Sequence, residues 1–323
     1  MDTQPSFTRA QNRLRDRYGT WAVVTGASDG IGRAFAVRLA EAGVHVVLAA
    51  RRAGVLEALG SELEKNHGIK TLSIAVDLAT RGGVDTLVAR TAELDVGLLV
   101  ACAGFGTSGP LLEGDLETEL QMIDVNCRAV VALTHVFGRR FVTRKRGGLV
   151  LMSSLVAFQG VPRAAHYSAT KAYVQSLAEG LRLELGPLGV DVLASAPGPV
   201  HSGFAARASM TMGLAQSPRE VAAATLGALG KTGTVRPGWL AKLLEASLKF
   251  LPRWGRVRMM GVVMRGMTLR QRGREQPEPP PGQRRRDLDE VHVGDEGGVA
   301  ADREVTVRVE RLVEERERER HRD

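Results

Sequence analysis

Between Ser153 and Lys171 the chain reads SSLVAFQGVPRAAHYSATK, a stretch that carries a hydroxyl, a phenol and a primary amine. In a helix, the four-residue separation of Tyr167 and Lys171 puts both side chains on one face. A phenol ionises near pH 10, about three units too high for proton transfer at neutrality, and closing that gap takes roughly 4 kcal/mol of preferential phenolate stabilisation. A neighbouring ammonium has the right sign for this. With the Ser154 hydroxyl, the set could converge on one carbonyl or carbinol group.

The flanking residues must hold those groups in place. After Pro162 the run YSATKAYVQSLAEGLRLELG carries apolar residues at Tyr173, Leu177, Leu181 and Leu185 and predicts a helix. Gly186-Pro187 marks its end. Upstream, GGLVLMSS reads as a buried strand ending at Ser154, which puts the hydroxyl at a strand's carboxyl end, where open α/β sheets bind ligands. An isolated Y-x-x-x-K pair is usually an ordinary surface feature, so the rest of the chain decides.

Near the N-terminus, WAVVTGASDGIGRAFAVRLAEAG reads as a strand through Val24, a glycine turn and a helix with Ile31, Phe35 and Leu39 inward. With the following strand VHVVLAARR it completes a βαβ unit. Gly26, Gly30 and Gly32 follow T-G-x-x-x-G-x-G, a turn that lets backbone approach a pyrophosphate at a helix N-terminus. The second strand ends Ala50, Arg51, Arg52, without the acid that holds the ribose hydroxyl of NAD. The implied cofactor is NADP(H), with Arg51 as the 2′-phosphate partner and NAD(H) as the alternative.

Strands and helical patterns continue to alternate: helix 53–66, strand TLSIAVDL, helix 84–94, strand VGLLVACAG, helix 115–139, the Ser154 strand, the Tyr167 helix and strand GVDVLASAPG. This predicts an α/β fold, a Rossmann-like doubly wound parallel sheet of about seven strands with helices on both faces. Asp77 is placed to accept from an adenine amino group, Ala103-Gly104 permits close cofactor approach, and Asn126 is a lone amide among apolar neighbours.

Residues 1–19 read as a polar N-terminal extension, 20–235 as the dinucleotide-binding catalytic domain, 236–274 as a basic amphipathic helical segment, and 275–323, opening on PEPPPG, as a charged disordered tail. Phe204, Met210 and Met212 of the loop after the sheet, with Phe105 and Phe158, suggest an apolar pocket for a hydrophobic carbonyl or alcohol. The basic segment suits a hairpin around Pro252 packed beside the site, a dimer contact, or peripheral membrane contact.

The net charge of +8 and pI near 10.0 come from arginines spread along the chain, and three Trp and three Tyr make no stacking platform, so no nucleic-acid partner is implied. Cys102 and Cys127 fit a reducing compartment rather than a disulfide or zinc site, and the dispersed histidines imply no metal. Without an apolar leader or spanning run, the expected location is cytoplasmic.

The assembled motifs resemble those of the short-chain dehydrogenase/reductase family: TGASDGIG at 25–32, Asp77-Leu78, ACAG at 101–104, Asn126, Ser154, YSATK at 167–171 and PGPVHS at 197–202, in the family's order over roughly 20–205. The resemblance implies that Tyr167 is general acid in reduction and general base in oxidation, that Lys171 lowers its pKa and holds the nicotinamide ribose, that Ser154 polarises the substrate oxygen, and that Asn126 holds a relay water. It implies cofactor contacts from Gly26, Ser28, Asp29, Gly30, Ile31, Gly32, Arg51, Asp77, Leu78, Ala103, Gly104, Asn126, Tyr167 and Lys171. Pro197, Gly198, Val200 and Ser202 would line the nicotinamide side, and a homodimer or homotetramer is expected. Two departures stand out. Ala101 and Cys102 replace two asparagines common in the family, which predicts a less well tied central strand, and Asp29 stands where some NADP-dependent relatives carry a basic residue. The expected function is NADP(H)-dependent interconversion of a secondary alcohol and a ketone; the alternative is a non-catalytic nucleotide-binding regulatory protein on the same fold.

Overall fold

A computed structural model describes residues 9–201, 203, 215–238 and 251–272, with side chains from Leu14 to Arg265. Seven strands, β1 (Trp21–Thr25), β2 (His45–Ala50), β3 (Thr71–Ala75), β4 (Val96–Ala101), β5 (Gly147–Met152), β6 (Val190–Ser195) and β7 (Thr234–Val235), form one sheet in the order β3-β2-β1-β4-β5-β6-β7. All pairings are parallel. The order reverses between β1 and β4, so their carboxyl ends open a crevice.

Strand alternation splits the core into two layers. Val24, Val100, Val150 and Leu193 face Phe35, Leu39 and Leu56 on one side, while their neighbours Val23, Leu99, Leu149 and Val192 face Leu133, Phe137, Phe141 and Val174 on the other. Because β4 and β5 are covered on both faces, their sequences VGLLVA and GGLVLM are buried throughout. The first layer is supplied by helices α2 (Gly30–Glu41) and α3 (Ala53–His67), the second mainly by α6 (Ala129–Thr143) and α7 (Ala165–Leu185).

Several expectations are corrected in detail. The helix expected over 84–94 is α4 (Arg81–Arg90), because the Thr80 hydroxyl caps it earlier by accepting from Gly83 N at 3.0 Å. The single helix expected over 115–139 is α5 (Leu116–Ile123), a π turn at Asp124–Arg128 containing Asn126, and then α6. In α7 the buried face is Lys171, Val174, Gln175 and Ala178, and Tyr173 is 43% exposed. A strict four-residue repeat drifts around a 3.6-residue helix, so Leu177, Leu181 and Leu185 reach the sheet only partly while Tyr173 turns outward. Gly186 keeps a helical φ of −54°, and the left-handed turn falls at Gly189, φ +84°, after a short 3-10 turn that accommodates Pro187.

The N-terminal helix α1 (Arg9–Tyr18) is tied down more firmly than a surface helix requires: the buried Tyr18 donates its hydroxyl to Asp191 Oδ2 at 2.8 Å, and Arg17 pairs with the same carboxylate. The end of β4 is tied to β1 through its main chain. Thr25 Oγ1 accepts from both Cys102 N and Ala103 N at 3.0 Å, which holds the strand ends together across the crevice. Between β6 and β7 lies α8 (Pro218–Ala228), whose Val221, Ala222 and Leu226 join the first layer, and after the sheet comes α9 (Arg253–Arg272). Among the described residues no helix is long and apolar enough to cross a membrane. The expected tail lies outside the described residues.

Candidate active site

The glycine turn follows from steric necessity. Gly26 has φ +68°, and a Cβ there would sit 2.9 Å from Ala103 Cα; a Cβ on Gly32 would sit 2.2 Å from Gly26 O. Only glycines let β1, α2 and the end of β4 approach this closely. Asp29 caps α2, its Oδ1 accepting from Gly30 N at 2.7 Å, so a carboxylate lies at the helix N-terminus. Arg52 folds back over the turn, Nη2 donating to Ser28 O at 3.1 Å and Ser28 Oγ at 3.0 Å, while Arg51 is exposed at the rim. The sequence singled out Arg51; the contact of Arg52 with the turn was not foreseen.

Four elements bring the chemistry-bearing groups together. Ser154 follows β5 and caps the 3-10 turn Leu155–Phe158, its Oγ accepting from Val156 N at 3.4 Å. Its hydroxyl lies close enough to the Tyr167 phenol, which comes from the first turn of α7, to favour the phenolate. One helical turn further, buried Lys171 donates from Nζ to Met152 O at 2.9 Å, with Nζ 5.8 Å from the centre of the Tyr167 ring. Ser153 Oγ donates to Lys171 O at 3.1 Å, fastening α7 to the end of β5. A Cβ on Gly104 would lie 3.3 Å from Lys171 Nζ, so glycine keeps that approach open.

Asn126 is fully buried. Its Oδ1 accepts from Phe105 N at 3.1 Å, and its Nδ2 donates to Phe105 O at 2.8 Å and Thr170 Oγ1 at 3.0 Å. Both amide hydrogens are therefore engaged, and the side chain is a tie between the Gly104–Phe105 corner and α7.

The electrostatics differ from the sequence expectation. Burial pushes the Tyr167 phenol up to about 12, and the pull in the opposite direction comes from Ser154 rather than from Lys171. The same burial lowers Lys171 to about 8, opposed by the nearby thiols of Cys102 and Cys127. Burial penalises both charged forms, phenolate and ammonium alike. The phenol of the protein alone is thus protonated at neutral pH.

These groups line one elongated cavity of about 1220 Å³. One end is bounded by Ser28, Asp29, Gly30, Ile31, Arg51, Asp77 and Leu78, the middle by Ala103, Gly104, Tyr167 and Lys171, and Pro197, Gly198 and Val200 lie along the wall beyond Ser154. Asp77 is partly committed, its Oδ1 accepting from Ala79 N at 3.0 Å. Phe105 lines the cavity as expected of it, whereas Phe158 is not among its lining residues and instead lies under the Arg236 guanidinium, 4.2 Å from the ring centre. Ser202, Phe204, Met210 and Met212 lie outside the described residues. The apolar mouth is completed by residues the sequence reading missed: Leu155, Val156, Ala164 and, from α9, Met260, Val263 and Met264. The four-residue spacing of Met260 and Met264 was the available signal for one inward-facing helix edge.

A glycine-walled crevice at a strand-order reversal, open at a helix N-terminus and leading to a serine, a tyrosine and a lysine, defines a nicotinamide-nucleotide-dependent oxidoreductase. The group fits the residues present, since Gly26 and Gly104 stand where any Cβ would press on neighbouring atoms of the cradle. Residues 20–212 match the family model for short chain dehydrogenase. The 7beta-hydroxysteroid dehydrogenase of Collinsella aerofaciens is 31% identical over 55% of this chain and 68% of its own length. The very-long-chain 3-oxoacyl-CoA reductase of Podospora anserina is 39% identical over 58% of this chain, which spans 57% of that protein. Among solved structures, a short-chain dehydrogenase from Sphingobium yanoikuyae in complex with NADPH superposes with a TM-score of 0.64 at 28% identity, covering 71% of this chain and 93% of its own. The chain belongs to the short-chain dehydrogenase/reductase family and is an NAD(P)-dependent oxidoreductase acting between alcohol and carbonyl.

Proposed function

We propose that the protein is an NADP(H)-dependent reductase of hydrophobic ketones, with Tyr167 as proton donor, Ser154 and Lys171 as its partners and Asn126 as a positioning residue. The observation that carries the reading is that Ser154, Tyr167 and the buried Lys171 line one cavity together with the glycine cradle and an apolar wall. When bound, the nicotinamide nucleotide supplies the hydride. The chain supplies alignment and a proton. Ser154 and Tyr167 can both donate to one substrate oxygen, and a phenol held protonated is loaded to transfer its hydrogen as negative charge develops there. Lys171, fixed on Met152 O, keeps positive charge beside the phenolate left behind. In the alcohol-oxidising direction the same phenol must first lose its proton.

Preference for the 2′-phosphorylated cofactor is supported by Arg51 and Arg52 at the end of β2, and the Sphingobium relative holds NADPH. The cradle residues from Gly26 to Gly104 named above, with Pro197, Gly198 and Val200, would hold the cofactor. A hydrophobic substrate is supported by Phe105, Leu155, Val156, Met260 and Met264, and by relatives named for steroid and very-long-chain acyl substrates. Self-association is supported by the exposed apolar row Leu116, Leu120 and Ile123 along α5. The test is oxidation of NADPH and NADH against a ketone panel running from small polar sugars to bulky apolar ketones. NADPH with apolar ketones is expected to lead; turnover confined to sugars would overturn the substrate class.

A further inference from the structure

Helix α9 has two apolar edges, and the cleft uses one. Met260 and Met264 pack with Val161 and Ala164 beside Tyr167, and a Cβ on Gly261 would lie only 3.2 Å from Pro162, so this edge sits closely on the loop that leads into α7. The opposite edge carries Trp254, Arg258 and Val262 at successive four-residue spacing, with Trp254 66% and Val262 68% exposed. Met259 and Val263 extend the exposed patch, and the Arg258 guanidinium lies 5.4 Å from the Trp254 ring centre. Large apolar groups clustered on a surface mark a docking face. The charge pattern says what docks. The helix sequence RWGRVRMMGVVMRGMTLRQR contains no acidic residue, and Glu245 is the only acid between 236 and 274. Two copies meeting through this face would set Arg258 of each against the same basic edge of the other, with no acid on the helix between them.

We infer that the outer edge of α9 lies on an anionic lipid bilayer, with Trp254, Met259 and Val262 at the acyl boundary and Arg258 on the headgroup phosphates. Indole, aliphatic and guanidinium groups on one helix edge match the layered polarity of that interface. Val263 belongs both to the exposed patch and to the wall of the cavity, so the contact lies at the cavity mouth. On the reading of that cavity as the substrate site, an apolar substrate would reach Tyr167 from the lipid without crossing water.

The experiment is sedimentation of the full-length protein with phosphatidylcholine vesicles, with and without phosphatidylglycerol, at low and high salt. The wild type is expected to bind the anionic vesicles, to release at high salt and to leave neutral vesicles unbound. The Arg258→Ser variant should partition roughly 5-fold more weakly, from the usual contribution of a basic residue near such a surface, and Trp254→Ser/Val262→Ser should also lose binding. None of these three residues lines the cavity, so NADPH turnover of a water-soluble ketone should stay near wild type. Failure of the wild type to bind anionic vesicles, or undiminished binding by both variants, would overturn the inference. So would variants that lower the mass in sedimentation equilibrium while vesicle binding persists, since a second copy would then occupy the face. Vesicle binding without turnover of any ketone would instead sink the proposed function alone.

Discussion

Replacing Asn126 by alanine tests how the site is held together. The amide makes three buried hydrogen bonds: from Phe105 N at 3.1 Å, to Phe105 O at 2.8 Å and to Thr170 Oγ1 at 3.0 Å. Thr170 keeps a partner, because its hydroxyl also donates to Tyr167 O at 2.9 Å, while the peptide N–H and C=O of Phe105 each lose the bond to Asn126. A buried hydrogen bond contributes about 0.5–1.5 kcal/mol, so losing three costs about 1.5–4.5 kcal/mol, with the lower end applying if a water enters the vacated space. That is a large part of the roughly 5–15 kcal/mol that holds a domain folded. Urea unfolding followed by circular dichroism should show a midpoint drop at unchanged slope. A loss under about 1 kcal/mol for the alanine variant would refute the claim that this side chain ties β4 to α7.

Three other outcomes follow from the geometry. Gly26→Ala should cost both stability and NADPH binding, because the position has φ +68° and the added Cβ would sit 2.9 Å from Ala103 Cα; fluorescence titration retaining wild-type affinity would contradict this. Arg51→Ala should weaken NADPH roughly 10–100-fold, the range of a charge-assisted hydrogen bond, while leaving NADH unchanged; equal losses for both would remove Arg51 from the 2′-phosphate site. Lys171, lowered to about 8 by burial, binds fewer protons folded than unfolded between that pH and its ordinary value near 10.5, so folding stability should rise with pH across this window. Lys171→Met should abolish the rise, worth about 3 kcal/mol at most; parallel stability curves from pH 7.5 to 10 would contradict it.

The sheet was legible because β4 and β5 are continuous apolar runs and several helices open on capping side chains, Asp29, Thr80, Asp115 and Ser217. The site was legible where chemistry and position share one short segment, as in Ser154, Tyr167 and Lys171. Four things could not be read. Thr25 holds the main chain at Cys102 and Ala103 from a different strand, and no local pattern announces a contact between β1 and the end of β4. The pKa of Tyr167 depends on how dry the site is, and spacing alone shows only the ammonium, not the burial that outweighs it. Phe158 looked like a pocket residue because it follows Ser154 closely, but the 3-10 turn between them leaves its ring under Arg236. The pocket residues that α9 supplies lie far along the chain, and their inward edge competes in the sequence with an equally apolar outward one.

The account rests on a phenol that gives its proton to the substrate oxygen. Its most direct test is Tyr167→Phe, assayed with NADPH and the best apolar ketone while NADPH affinity is measured separately. Affinity should stay near wild type and turnover should fall by about 10²–10⁴-fold, the usual worth of a positioned acid. Turnover within a few-fold of wild type, with the cofactor still bound, would contradict the assignment.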